Sequence, residues 1–311
     1  MPTKLPWEER LREELMFKVI TKVITKVKIT GFNYWKKILA SLKFFDNETV
    51  YFEGGLGSQI ISYIVYNEKN KIQKNISVAN LDYFSITLND FTQDNGLSRW
   101  TWKLDHYGIS KNKLVGDKKI KTVFKKYFSV RPKFDTEIFL NFREEKASEY
   151  NSIFPVNAKN VKEYIQKVFQ NSNLDYSIIH IRRGDYLKVA SNIIKTEEVV
   201  NLINKLKPLL TANVLITCDS ILPKEEVEIL EKSLTGNNYV YLSPNEDTYL
   251  VHDLMRSAKI LIASNSTFSF TAGLLSNKDC LFFFPTKYFG EGRNEDLKAF
   301  SLRQPFGFLL N

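Results

Sequence analysis

From Tyr176 onward the chain alternates apolar runs with amphipathic stretches. Apolar runs stand at 176–181, 213–218 ("NVLITC"), 239–243 ("YVYLS"), 259–264 ("KILIAS") and 280–284 ("CLFFF"). Each is short, rich in Val, Ile and Phe, and bounded by polar residues, so each predicts a strand. Between them, apolar residues at helical spacing predict helices near 196–210, 224–234, 246–258 and 267–275. Thr196 is the expected cap of the first, with Glu197 and Glu198 in its first turn. Strands without a polar face must be covered on both sides. Strict alternation through short connections therefore predicts a parallel, doubly wound α/β sheet.

The pattern is looser upstream. "TVYFEGGLGSQIISYIVYNEKN", from Thr49, predicts strand, glycine turn and helix, and "NISVANL" at 75–81 predicts a second strand. Residues 82–165 are irregular, with partial helical character in "LSRWTWKLDHYGIS" and "TEIFLNFREEKASEYNSIF". Two α/β halves are expected, an N-terminal one at 46–165 and a C-terminal one at 166–311. Residues 1–45 precede them as a basic amphipathic extension. Lys18, Lys22 and Lys26 share one helical face, Val19, Val23 and Val27 lie on the other, and 15–45 holds seven lysines and no acid. Such a segment suits peripheral contact with an anionic membrane, or packing on the chain's own core.

Composition narrows the class. With 43% apolar and 25% charged residues, the 311-residue chain has the makeup of a soluble globular protein. Its net charge of +9 suits a phosphorylated ligand, nucleic acid or an anionic surface. No nucleic-acid module is legible and the positive residues form no stripe, so nucleic acid is not the expected partner. Cys218 and Cys280 sit in apolar runs as reduced core thiols, and His106, His180 and His252 have no metal-ligand spacing. No metal site is expected. The start, "PWEERLREEL", is not a signal peptide, so a cytoplasmic location is expected, at the inner face of a membrane if the lysine segment docks.

Ligands of such sheets bind beyond the carboxyl ends of the strands, so the loops there are the candidates. "EGGLGSQ" follows the first strand. Gly54, Gly55 and Gly57 admit close backbone approach ahead of a helix N-terminus, or serve as turn and packing glycines. "HIRRGD" follows the strand at 176–181. Arg182 and Arg183 each present a planar fork suited to phosphate oxygens, and His180 is suited to orienting a phosphate or hydroxyl. The competing reading is a salt bridge between Arg183 and Asp185. "ASNSTFSF", 263–270, gathers Asn265, Ser266, Thr267 and Ser269 at a helix start, suited to an anion or to simple capping. Asp219, in "CDS", ends another strand, where it would read a nucleobase or cap the next helix.

Taken together and in this order, HxRRxD, "EGGLGSQ" upstream and "SNSTFS" downstream resemble the α-1,2-fucosyltransferase family over about residues 50–290. "NEDTYLVHDLMRSAKILIASNSTFSF" and "FPTKYF" extend the resemblance. It implies a GT-B-like fold, two Rossmann-like halves facing a cleft. It also implies inverting, metal-independent transfer of L-fucose from GDP-fucose to an acceptor glycan, at the 2-OH of a terminal galactoside. GDP-fucose is then a substrate and no cofactor is needed. By the same resemblance Arg182 and Arg183 hold the donor diphosphate, with Ser266, Thr267 and Ser269 beside it. The chain departs from the family pattern at Ser58, at Phe270-Thr271 and in "LNFREEK", 140–146.

In such a reaction charge grows on the leaving diphosphate, where fixed arginines and helix N-termini lower the barrier. Arg183 is the expected catalytic fork. A base must take the acceptor proton, and Asp185, Glu53 and His180 are the candidates. The alternatives are the same fold with another nucleotide-sugar donor, or a non-catalytic phosphate or nucleic-acid binder.

Overall fold

The structure, a computed structural model, describes residues 49–52, 54–72, 76–80, 101–115, 136–139, 142–184, 193–285 and 307–310. All of these belong to one compact unit spanning Thr49–Lys119 and Phe134–Asn311. The second unit, Met1–Glu48 with Ile120–Lys133, lies outside the described residues, and so does the basic extension 1–45.

The chain opens with β1 (Thr49–Phe52), α1 (Leu56–Ile72) and β2 (Ser77–Asn80). β1 and β2 pair in parallel, Thr49 opposite Ser77 and Phe52 opposite Asn80, the expected βαβ unit. A 3-10 turn at Leu104–Tyr107 ends on Gly108, whose φ of 72° favours glycine. Short helices follow: α2 (Lys111–Val115), α3 (Thr136–Phe139), α4 (Phe142–Glu145) and α5 (Ala147–Ile153). α6 (Ala158–Phe169) is capped by Asn157, whose side chain accepts from the Asn160 N–H.

The regular part then runs β3 (Tyr176–Ile181), α7 (Thr196–Leu206), β4 (Asn213–Cys218), α8 (Lys224–Ser233), β5 (Asn238–Tyr241), α9 (Thr248–Ser257), β6 (Ile260–Ile262), α10 (Thr267–Leu274), β7 (Leu281–Pro285) and β8 (Gly307–Leu310). α7 stops at Leu206, short of the expected 210: Pro208 has no N–H to continue the ladder, and the chain tightens into a turn in which the Leu209 N–H reaches back to the Leu206 carbonyl at 2.8 Å. Its N-cap is Lys195, so Thr196 is not the cap that its position implies. Glu198 accepts the Lys195 N–H at 2.8 Å and closes that end.

The six strands β3 to β8 form one sheet in the order β5-β4-β3-β6-β7-β8, and every neighbouring pair is parallel. The chain thus starts in the middle of the sheet, winds to one edge, returns beside β3 and winds to the other. This is a Rossmann-like, doubly wound order, and its direction reverses between β3 and β6.

Period-two alternation explains why these strands read as unbroken apolar runs. Ile179, Ile181, Val214, Ile216, Ile260 and Ile262 face Val199 and Ile203 of α7 and Leu230 of α8. Ile178, Leu215, Leu261, Phe282 and Phe284 face the other way, into a larger core. That core also takes Phe52 of β1, Ile60 and Ile64 of α1, and Val161, Ile165 and Phe169 of α6. A boundary at 165 therefore falls inside a helix, and residues on both sides of it share one core. Among the described residues there is one doubly wound sheet and a two-stranded annex. A second doubly wound half is not among the described residues.

Candidate functional site

The reversal of strand order leaves a crevice at the carboxyl ends of β3 and β6, the usual ligand position in an open α/β sheet. Both motif loops of the C-terminal half arrive there: "HIRR" leaves β3 and "SNST" leaves β6.

The two arginines separate at once. Arg183 is 3% exposed and faces α7 and α8. Its Nε and Nη2 both donate to Glu226 Oε2, at 3.1 and 2.8 Å. Nη2 also donates to Thr196 Oγ1 at 2.7 Å, and Nη1 donates to the carbonyls of Arg182 and Ile194 at 3.1 and 3.0 Å. A guanidinium has five N–H groups, and all five are used within the chain. Arg183, the expected catalytic fork, directs its donors into the chain, and its salt-bridge partner is Glu226 from the first turn of α8.

Arg182 turns the other way. Its Nη1 lies 2.9 Å from Asp219 Oδ2, with 20% of the side chain exposed. The other oxygen of Asp219 accepts the Arg183 backbone N–H at 2.7 Å. Asp219 thus fixes the turn after β3 and aims Arg182. One oxygen accepts a backbone hydrogen bond and the other is ion-paired with Arg182, so Asp219 braces this turn. Gly184, at φ 27°, continues the turn, and its N–H reaches Ser220 Oγ at 3.3 Å.

His180 is the penultimate residue of β3 and is 5% exposed. Its ring meets Phe268 edge-on, centroids 6.0 Å apart, and its Nδ1 has no hydrogen-bond partner. Burial, with Arg182 nearby, holds the imidazole down to about 3. It is neutral at ordinary pH and far too weak a base to take a hydroxyl proton. A buried ring nitrogen without a partner is expensive unless a ligand completes it.

On the β6 side, Ser266 caps α10, its Oγ accepting from the Phe268 N–H at 3.3 Å. Ser269, wholly buried, donates to the carbonyl of Ser264 at 3.1 Å. Asn265, also buried, accepts from Ser264 Oγ at 3.2 Å. Ser269 and Asn265 thus shape the loop from within. Thr267 reaches outward, its hydroxyl 3.0 Å from that of Ser58 in the first turn of α1.

That contact joins the glycine loop to the same crevice. A Cβ on Gly57 would lie 2.5 Å from backbone atoms of Thr267 and Phe268, so Gly57 lets the first turns of α1 and α10 touch. Gly54 takes φ 76°, which makes the turn. Gly55 is exposed, with open space where a Cβ would stand. Of the three glycines, one turns the chain, one packs, and one presents bare backbone. Gln59 holds the loop from behind: its Nε2 donates to the carbonyls of Gly54 and Thr101, both at 2.9 Å, and its Oε1 accepts the Lys103 N–H at 2.8 Å.

Two helix N-termini thus touch, and His180, packed on Phe268 of one of them, has Arg182 nearby; helix starts with a cation near them favour a polyanion. Glu53 and Asp185 lie outside the described residues. Among the described residues no three His, Cys, Asp or Glu side chains gather as metal ligands would. No described helix is long and apolar enough to cross a membrane, and residues 15–45 are not among them. Sequence reasoning gave no role to Glu226 or Gln59. Both were visible only as an acid in a helix first turn and as the polar end of the glycine motif.

No protein-family model matches the sequence, and no curated protein is similar to it. Among solved structures, the crystal structure of POFUT1 in complex with GDP resembles 76% of this chain and 97% of that chain, at 11% identity and a TM-score of 0.39. At that identity and score the likeness carries no argument about function, which rests on the residues of the crevice.

Proposed function

We propose that the protein is an inverting glycosyltransferase that moves L-fucose from GDP-fucose to a hydroxyl of an acceptor glycan, the 2-OH of a terminal galactoside. One observation carries the reading. The three motifs on which the family resemblance stands, far apart in sequence, meet at the crevice where strand order reverses. There Arg182, the unpartnered His180 Nδ1 and the starts of α1 and α10 form a site suited to a nucleoside diphosphate.

In this reading Arg182 and the N–H groups at the helix starts receive the diphosphate. Gly55 admits it to the backbone, and neutral His180 completes its Nδ1 hydrogen bond on the donor. The acceptor oxygen attacks the sugar carbon as the bond to the diphosphate breaks. The negative charge that grows on the leaving oxygen is met by a cation already in place. Asp185 and Glu53 are the candidates to take the acceptor proton, since His180 is too weak a base.

Incubation with a panel of nucleotide sugars and an acceptor galactoside should release GDP from GDP-fucose and no UDP from UDP-sugars. Arg182→Ala should lower that turnover by at least ~100-fold, as loss of one preorganised charge contact does, with unchanged circular dichroism. Release of another nucleotide would assign another donor. Binding of RNA without release would favour the non-catalytic alternative.

A further inference from the structure

We infer that Glu226 is a positioning residue for the arginine that meets the diphosphate, acting through Arg183. The inference rests on the diphosphate reading of the crevice and assigns a part of its machinery that no motif contains.

The chain of contacts runs outward from the back of the sheet. Glu226 Oε2 takes two donors from Arg183 and one from the Thr196 hydroxyl, so a single carboxylate oxygen gathers three hydrogen bonds. Arg183 is buried, 3% exposed, and Glu226 is half-buried, 25% exposed at the side chain. Locked in this way, Arg183 directs Nη1 at two carbonyls, those of Arg182 and Ile194. Arg182 is the residue to be aimed. Ile194 stands at the far end of the segment that begins at Gly184 and carries Asp185. One guanidinium thus ties the backbone of Arg182 to that of Ile194. The Arg183 N–H is meanwhile clamped by Asp219, which also holds the Arg182 fork.

A charged group held by several hydrogen bonds transmits its position well, because letting it move would leave buried donors unpaired. Removing Glu226 leaves Arg183 with a buried charge and two empty donors. The guanidinium must then seek another acceptor, and the carbonyls it holds go with it. Arg182 loses its aim without itself being touched.

Binding of three probes to the full-length protein separates this role from a general structural one. The probes are GDP, inorganic pyrophosphate and guanosine, measured by calorimetry. In Glu226→Ala, affinity for GDP and pyrophosphate should fall roughly tenfold or more, the range of a lost hydrogen bond to a charged group, while guanosine binding is unchanged. Glu226→Gln keeps an acceptor oxygen and should lose about threefold on the same two probes, a fraction of one such bond. It carries the test alone should the alanine variant fail to fold. In turnover, donor kinetics should worsen with acceptor KM constant. Equal losses for all three probes, or no loss for any, would overturn the positioning role while leaving the diphosphate site standing. A wild-type protein that binds neither GDP nor pyrophosphate would remove the site itself, and the inference with it.

Discussion

The loops after β1 and β6 lead to touching helix N-termini, yet they are built in opposite ways. The loop after β6 is held by its own side chains. Ser264, Asn265, Ser266 and Ser269 bond to one another and to loop carbonyls within a few residues. The loop after β1 has almost no side chains. It is held from outside, by Gln59 reaching to Thr101 and Lys103, and by Gly57 against the backbone of α10. A self-supporting loop announces itself in sequence, because its polar side chains are adjacent. A loop supported from a distance shows only glycine.

Acid should distinguish the two sides most strongly. Phe268, in the first turn of α10, lies against both His180 and His252, and the His252 Nε2 is 3.1 Å from Thr271 Oγ1 on the same helix. Burial lowers both imidazoles, His180 to about 3 and His252 well below its ordinary value. Each is neutral when folded but takes up a proton when unfolded below ~6.5. Stability should therefore fall as pH drops from about 6.5 toward 3, by up to ~1.4 kcal/mol per pH unit for each histidine. Denaturant midpoints at pH 7 and pH 5 check this, and His252→Gln should remove part of the slope. A pH-independent midpoint would contradict it.

Gly57→Ala comes next. The new methyl would strike backbone, which cannot swing aside, so about 3 kcal/mol of stability should be lost, at the upper end of overpacking costs. A thermal midpoint near wild type would mean that the α1 and α10 starts are not in contact. Ser266→Ala, at the self-supporting loop, should cost only ~1 kcal/mol, the worth of one helix cap, because its neighbours keep the loop closed.

Gly55→Ala should have the smallest effect on stability, below ~0.5 kcal/mol, since its Cβ would stand in open space. Affinity for GDP should nevertheless fall, because the proposed donor position brings the diphosphate to that space. Unchanged affinity would limit the glycine loop to packing.

How much could be read beforehand follows the same division. β3 and β4 stand at their expected bounds, 176–181 and 213–218, because a strand buried on both faces must be apolar throughout. β8 was not expected: its "GFLL" is too short and too far along the chain to declare a partner. That three loops stand at the carboxyl ends of strands was legible. The division of labour between Arg182 and Arg183 was not. Adjacent residues leaving a strand point to opposite faces, and only the fold decides that Glu226 waits on one of them. The same limit applies to the expected two halves, since nothing local tells Phe52 and Phe284 that they share a core.

The hydroxyl contact between Ser58 and Thr267 joins residues 209 positions apart in the chain. Closing so long a loop costs chain entropy before any contact rewards it, and contacts of this kind are made late in folding. The contact therefore exists only when the strands between the two residues, β2 to β6, have been wound. On the proposed reading, competence to hold a polyanion is a property of that long-range topology: a ligand bound there would draw its stabilisation from, and return it to, every strand between the two hydroxyls.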